Sequence, residues 1–267
     1  MKFTRKYTIT TAEMDAHYRL TVDGLLTYHE TTIATYLTTL HLAAFDLHKI
    51  DKAWVLSEIN LELPEPPTMW SEDVEMTVWI SEMSSMRVWF DFTAQEAHTG
   101  KVVARGNSGW ALISMSERWL VSCEGLIPEE EVNRDFAAGP HRKRTVMKYN
   151  PEPDSTLQHT INRIDLDFNG HTNNRRYIQM ALMCFDDVFL EANRPEFLNI
   201  RFGKESRMGD SIANYTHSTD DPSVFVGRIV NGRGEEICRV SSRWRAKEPL
   251  PDIAEVNYVR NPYCPLL

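Results

Sequence analysis

Apolar residues along the first half of the chain change their spacing in a definite order. Lys2 to Thr10 alternates and carries β-branched residues, which predicts a short, half-buried strand. From Thr21 to about Leu47 the spacing becomes helical, through Val22, Leu25, Leu26, Ile33, Tyr36, Leu37 and Leu40. This predicts one long buried helix, although several threonines lower its intrinsic propensity. Ala53 to Leu63, Asp73 to Ser81, Met86 to Glu96 and Lys101 to Ser114 follow, each rich in Val, Ile, Trp, Phe or Thr, and predict four antiparallel strands. His98-Thr99-Gly100 separates the last two, with Gly100 placed to supply the positive φ of a tight hairpin or bulge.

The second half runs through the same order: a strand from Thr156 to Asp165, a helix from about Asn174 to Ala192, and strands near Phe197, Ile212, Val224 and Glu236. Gly100, Val103, Arg105, Ser108 and Trp110 recur as Gly234, Ile237, Arg239, Ser242 and Trp244, each 134 positions later. Between the halves, Ile127 to Asp154 has little period. It holds an acidic run, Ala137-Ala138-Gly139-Pro140, Arg142-Lys143-Arg144, and Pro151 with Pro153, and reads as a surface linker. The expected organisation is an N-terminal domain over residues 1–130, a linker over 131–154 and a C-terminal domain over 155–267. Both domains are α+β, a helix wrapped by an antiparallel sheet as in the hotdog arrangement, and two copies could form an internal pseudo-dimer. An unrelated α+β protein with a duplicated meander fits the periodicity equally well.

At 267 residues, two domains of ordinary size are the natural division, and 42% hydrophobic residues supply a core for each. No apolar stretch follows the basic residues of the N-terminus and no run of 18 apolar residues occurs anywhere, so a cytoplasmic location is expected. Cys123, Cys184, Cys238 and Cys264 are scattered, without the close pairs of a zinc site or the density of a disulfide scaffold. A net charge of −9 opposes general nucleic-acid binding. The local basic clusters are Arg142-Lys143-Arg144, Arg175-Arg176, and Arg201 with Lys204 and Arg207.

Chemistry concentrates between Asp165 and Tyr177, at a strand-to-helix corner. Asp167, Asn169 and His171 lie two apart, so in an extended turn they project toward one side. Gly170 permits close backbone approach, and the N–H groups opening the next helix can donate to an oxygen gaining negative charge, as in a thioester under attack. The plainer reading is that Asp167 and Asn169 turn the chain and Asn173 caps the helix. Phosphate loops, dinucleotide fingerprints, metal-spaced histidines and Gly-x-Ser-x-Gly elbows do not occur.

The stretch from Asp167 to Tyr177 resembles the Asp-x-Asn-x-His-x-Asn-Asn-x-x-Tyr motif of the acyl-acyl carrier protein thioesterases of bacteria and plants, and the likeness extends from the first strand to about Lys247. The resemblance implies tandem hotdog domains with the active motif in the second, and hydrolysis of fatty acyl-acyl carrier protein without cofactor or metal. It also implies a glutamate on the next strand, whose surroundings match Phe202 to Asp210 with Glu205 in its place. The implied site is therefore Asp167, Asn169, His171 and Glu205. Plant members commonly carry cysteine directly after the glutamate; here Ser206 stands there, which favours a carboxylate-centred mechanism over a thiol one. In the first half the corresponding corner reads Asp15-Ala16-His17-Tyr18-Arg19-Leu20, without the Asn-Asn pair, so that domain is expected to be mainly an acyl-binding scaffold, with Asp15 and His17 lesser catalytic candidates. Leu25, Leu26, Tyr28 and Tyr36 either line an acyl tunnel or form ordinary core. The expected partner is an acidic carrier protein bearing an acyl chain, met by one of the basic clusters. A non-catalytic acyl-binding protein, a hydroxyacyl-thioester dehydratase and a homodimeric state stay open.

Overall fold

In the computed structural model, which describes residues 1–70, 72–139 and 147–249, the chain forms two compact units. Among the described residues the first comprises 1–55, 62–70, 72–139 and 248–249, and the second 56–61 and 147–247.

The first unit opens with β1 (Phe3–Thr8), followed by α1 (Val22–Thr39), α2 (Ala44–His48), β2 (Lys52–Glu62), of which 56–61 count with the second unit, β3 (Asp73–Met83), β4 (Val88–Glu96), β5 (Val102–Ser114) and the short β6 (Leu120–Val121). Strands β1, β3, β4 and β5 pair antiparallel in that order, with β6 on β5. Alternation puts Val74, Met76, Val78 and Ile80 of β3 and Phe90, Phe92 and Ala94 of β4 in the core. There they meet the buried stripe of α1, which packs on β1 and β3. Each of the Val, Ile, Met and Phe side chains contributes about 1.5–3 kcal/mol relative to exposure.

The predicted single helix to Leu47 is two helices. Thr21 caps α1, its hydroxyl accepting from Gly24 N at 3.1 Å. At the far end His41 takes φ of 56°, while Leu42 N donates to Leu37 O at 2.8 Å and His41 N to Thr38 O at 3.1 Å. That is a Schellman closure with histidine at the left-handed position usually given to glycine, so the helical spacing does not betray it.

The second unit comprises β7 (Ser155–Thr160), α3 (Asn174–Leu182), α4 (Asp187–Ala192), β8 (Asn193–Phe202), β9 (Ser211–Ser218), β10 (Val224–Asn231) and β11 (Glu236–Ala246). Its strands pair antiparallel in the order β8-β11-β10-β9-β7. The α3 helix lies on β9, β10 and β11. Two predicted elements are shorter than expected. The strand to Asp165 stops at Thr160 because Asn162 caps a 3₁₀ turn over Arg163–Asp165. The helix to Ala192 stops at Leu182 and restarts at Asp187, where the Asp186 carboxylate accepts from Phe189 N at 2.7 Å. The break lets Phe185 pack between Phe225 and Trp244, at ring distances of 5.1 and 4.7 Å.

The repeat noted in the sequence has a structural counterpart. Trp110 Nε1 donates to Ser108 Oγ on β5 and Trp244 Nε1 to Ser242 Oγ on β11, both at 2.9 Å. Gly100 and Gly234, at the preceding hairpins, have φ of 69° and 75°.

Candidate active site

The corner between β7 and α3 is built from local hydrogen bonds that its polar residues dictate. Asp165 Oδ2 accepts from Asn162 N at 2.9 Å and meets His159 Nε2 at 2.8 Å. Burial pushes the Asp165 carboxyl up, but the Asn162 N–H, the His159 imidazole and the Arg176 charge outweigh it and hold the pKa below the ordinary value. Two residues on, Asp167 Oδ1 accepts from Asn169 N at 2.8 Å and His171 N at 3.2 Å. Gly170, at φ of 74°, completes the turn, its N–H donating to Asp167 O at 3.1 Å. One oxygen of Asp167 is thus committed to the turn, as the plainer reading of the motif required.

Asn173 likewise caps α3, its Oδ1 accepting from Arg175 N and its carbonyl from Arg176 N, both at 2.9 Å. These helix-start N–H groups, expected to face a thioester oxygen, are therefore already engaged. Asn169, an exposed residue of the same turn, carries a side-chain amide that can donate.

Past the end of β8 the chain returns to this corner. Gly203 N donates to Ile237 O of β11 at 2.9 Å and Thr172 N to Ser206 O at 2.9 Å, which brings Glu205 beside His171. Glu205 Oε2 lies 3.3 Å from His171 Nε2, with side-chain exposures of 37% and 19%. The same ring nitrogen lies 3.1 Å from Arg207 Nη2. One nitrogen cannot serve both neighbours at once: bearing a proton it donates to Glu205, and without one it accepts from Arg207. The structure thus joins His171 and Glu205 by side-chain contact, whereas Asp167 and Asn169 share the His171 turn through the backbone.

Four contributors were not singled out from the sequence as site residues: Arg207, and the buried hydroxyl residues Thr172, Tyr177 and Ser206. Thr172, Ser206 and Arg207 adjoin or nearly adjoin the predicted residues, and Tyr177 closes the motif, which is the signal that could have found them. Ser206 is 1% exposed and hydrogen-bonded to Thr172 and Tyr177, a structural position rather than a nucleophile's.

The first unit repeats this corner 152 positions earlier. Asp15 Oδ1 accepts from His17 N and Arg19 N at 2.8 and 3.0 Å, and Tyr18, at φ of 58°, stands where Gly170 does. Leu20 N donates to Thr68 O at 2.8 Å, matching Thr172 and Ser206. The residues then corresponding to His171 and Glu205 are Arg19, which is buried, and Pro67. The first corner keeps the turn but not the imidazole–carboxylate pair.

Leu25, Leu26, Tyr28 and Tyr36 are core, the two phenols donating to Glu13 and Glu131 carboxylates at 2.7 and 2.8 Å. Of the basic clusters, Arg176 donates to Gln179 Oε1 at 2.6 Å, Lys204 pairs with Glu235, and Arg201 lies 3.7 Å from Glu58. Arg142-Lys143-Arg144 and Cys264 lie outside the described residues. Among the described residues there is no grouping of three metal-ligating side chains, and no helix is long and apolar enough to cross a membrane.

Comparison with known proteins agrees with this layout. Residues 1–129 match the model of the acyl-ACP thioesterase N-terminal domain, and residues 149–246 that of the C-terminal domain. The chain belongs to the acyl-ACP thioesterase family. Relatives in the family include a chloroplastic acyl-[acyl-carrier-protein] hydrolase of Cuphea viscosissima, 22% identical over 92% of this chain and 63% of its own. Another is a chloroplastic palmitoyl-acyl carrier protein thioesterase of Gossypium hirsutum, 24% identical over 92% of this chain and 64% of its own. The chain thus spans under two thirds of the length of these relatives. The fold is similar to that of two solved family structures. The 12:0-ACP thioesterase of Umbellularia californica superposes with a TM-score of 0.80 at 20% identity, covering 92% of this chain and 98% of the other. An acyl-ACP thioesterase of Bacteroides thetaiotaomicron does so with 0.80 at 22%, covering 91% and 98%. The family fold, two tandem hotdog domains of α+β class, is that of this chain.

Proposed function

We propose that this protein hydrolyses the thioester of a fatty acyl-acyl carrier protein, releasing the free fatty acid and ending chain elongation. The observation that carries the reading is the 3.3 Å contact between His171 and Glu205 on the family's C-terminal domain. With Arg207 displaced from it, the unprotonated His171 Nε2 takes a proton from water. The resulting hydroxide attacks the carbonyl carbon, the C–S bond breaks, and the imidazolium, now paired with Glu205, returns the proton to the departing thiolate. Asn169 orients the carbonyl oxygen through its amide, and Asp167 holds the turn that carries both residues.

The test is release of free thiol and acid from a panel of acyl-carrier thioesters. His171→Ala and Glu205→Ala should each lower kcat by about 10²–10⁴-fold while remaining folded. Product mass separates hydrolysis from dehydration, since a free acid and an enoyl thioester differ. Binding of the panel without release of thiol or acid would overturn the hydrolase reading in favour of acyl binding.

A further inference from the structure

We infer that Tyr177, Thr172 and Ser206 form a positioning cluster that sets Glu205 against His171, so that Tyr177 governs turnover without touching the reacting atoms; the inference rests on the hydrolase reading above. Thr172 directly follows His171, and Ser206 directly follows Glu205. Ser206 N donates to Tyr177 Oη at 3.0 Å, and Tyr177 Oη and Ser206 Oγ are 2.7 Å apart. Ser206 Oγ lies 2.8 Å from Thr172 Oγ1, which donates to Ser206 O at 3.1 Å. All three residues are buried.

One assignment of protons satisfies every group. Tyr177 O–H donates to Ser206 Oγ, Ser206 O–H to Thr172 Oγ1, Thr172 O–H to Ser206 O, and Ser206 N–H to Tyr177 Oη. The result is a closed ring in a low-dielectric setting, where bonds reinforce one another and a lost member leaves buried orphans. It ties the inner face of α3 and the turn to the segment after β8, the two pieces of chain that supply the catalytic pair.

The first unit shows that the fold does not require this ring. At positions matching Thr172 and Tyr177 stand Leu20 and Leu25, both buried. Thr68 matches Ser206, and its Oγ1 is buried without a hydrogen-bond partner. The backbone bond persists, at 2.8 Å in the first unit and 2.9 Å in the second. Leucines thus suffice to hold the corner, and the hydroxyl ring occurs where His171 and Glu205 must be held to one separation.

The experiment compares the full chain with Tyr177→Phe, Thr172→Val and Thr172→Ser, assayed well below each melting temperature. Tyr177→Phe and Thr172→Val should lower kcat about 10- to 100-fold with KM changed less than about twofold, since sub-ångström misplacement is costly to turnover. Thr172→Ser, which keeps the hydroxyl, should recover most of the loss seen in Thr172→Val. Wild-type kcat in the folded Tyr177→Phe and Thr172→Val variants would overturn the inference, as would losses that vanish on cooling. Histidine ring NMR supplies an arm independent of activity: the His171 signals should move in Tyr177→Phe, and unmoved signals would reject positioning. A native protein that releases no thiol would reject the hydrolase reading, while the NMR arm would still decide whether the ring positions His171.

Discussion

His29 on α1 shows how one residue couples the core to pH. Its ring is fully buried against Phe92 at 4.5 Å, with Nε2 3.1 Å from Ser108 Oγ and Nδ1 without a partner. Burial lowers its pKa to about 3 from the ordinary 6.5. The unfolded chain therefore takes up a proton that the native state refuses. The contribution is fully present above about pH 6.5 and is lost as pH falls toward 3, by up to ~1.4 kcal/mol per unit. The melting temperature should drop between pH 7 and pH 5, and His29→Gln should flatten that dependence in thermal denaturation; parallel curves would reject the assignment. A second expectation concerns Asp167. Because its oxygen accepts two backbone N–H groups, Asp167→Asn keeps an acceptor and should retain far more activity than Asp167→Ala, which loses about 1–3 kcal/mol of hydrogen bonding in the turn. Equal losses would instead assign Asp167 a charge-dependent step.

At the scale of elements, α3 is the piece whose placement matters most, since it carries Tyr177 and is preceded directly by the His171 turn. Asn173→Ala removes the cap on Arg175 N and should cost about 0.5–2 kcal/mol by urea denaturation. The opposite sign is expected at Gly227 in β10. It lies under α3 in a small void lined by Ala181, Leu182, Phe185, Val240 and Ser242. A Cβ there would meet Val240 O at 3.5 Å and Ala181 Cβ at 3.6 Å, ordinary contacts, and the backbone φ is not in the left-handed region. Gly227→Ala should stabilise the protein by about 0.4–1 kcal/mol by restricting the unfolded chain, and a lower melting temperature would show that α3 cannot accept the added methyl.

For the whole molecule the relevant quantity is charge. A net −9 opposes the approach of an acidic carrier, so productive contact requires a local positive face. The face expected to serve is that of Arg175 and Arg176, in the first turn of α3 beside the His171 turn. Reversing both to glutamate should raise KM for the carrier-bound substrate by roughly two- to fivefold per charge, with little change for a small acyl thioester. Equal losses with both substrates would mean damage to the corner rather than lost docking.

The order of strands and helices, the duplication, and the place of the polar corner were legible in the sequence, because burial periodicity and turn chemistry are local properties. So were the capping by Asn173 and the turn held by Asp167, since each side chain acts within a few residues of itself. The helix break after α1 was not legible, because histidine fills a left-handed position that glycine would have announced. Resemblance alone supplied Glu205, which stands 34 positions from His171 in the chain. Their contact depends on the pairing of β8 with β11 and on the packing of α3 over the sheet, neither of which has a local signature. The same holds for Arg207 at the His171 nitrogen and for the hydroxyl ring behind it. Local pattern marked where the polar corner and its candidate residues lie along the chain; which of them meet was settled in three dimensions, because contact between distant segments is set by strand register and helix placement rather than by spacing along the chain.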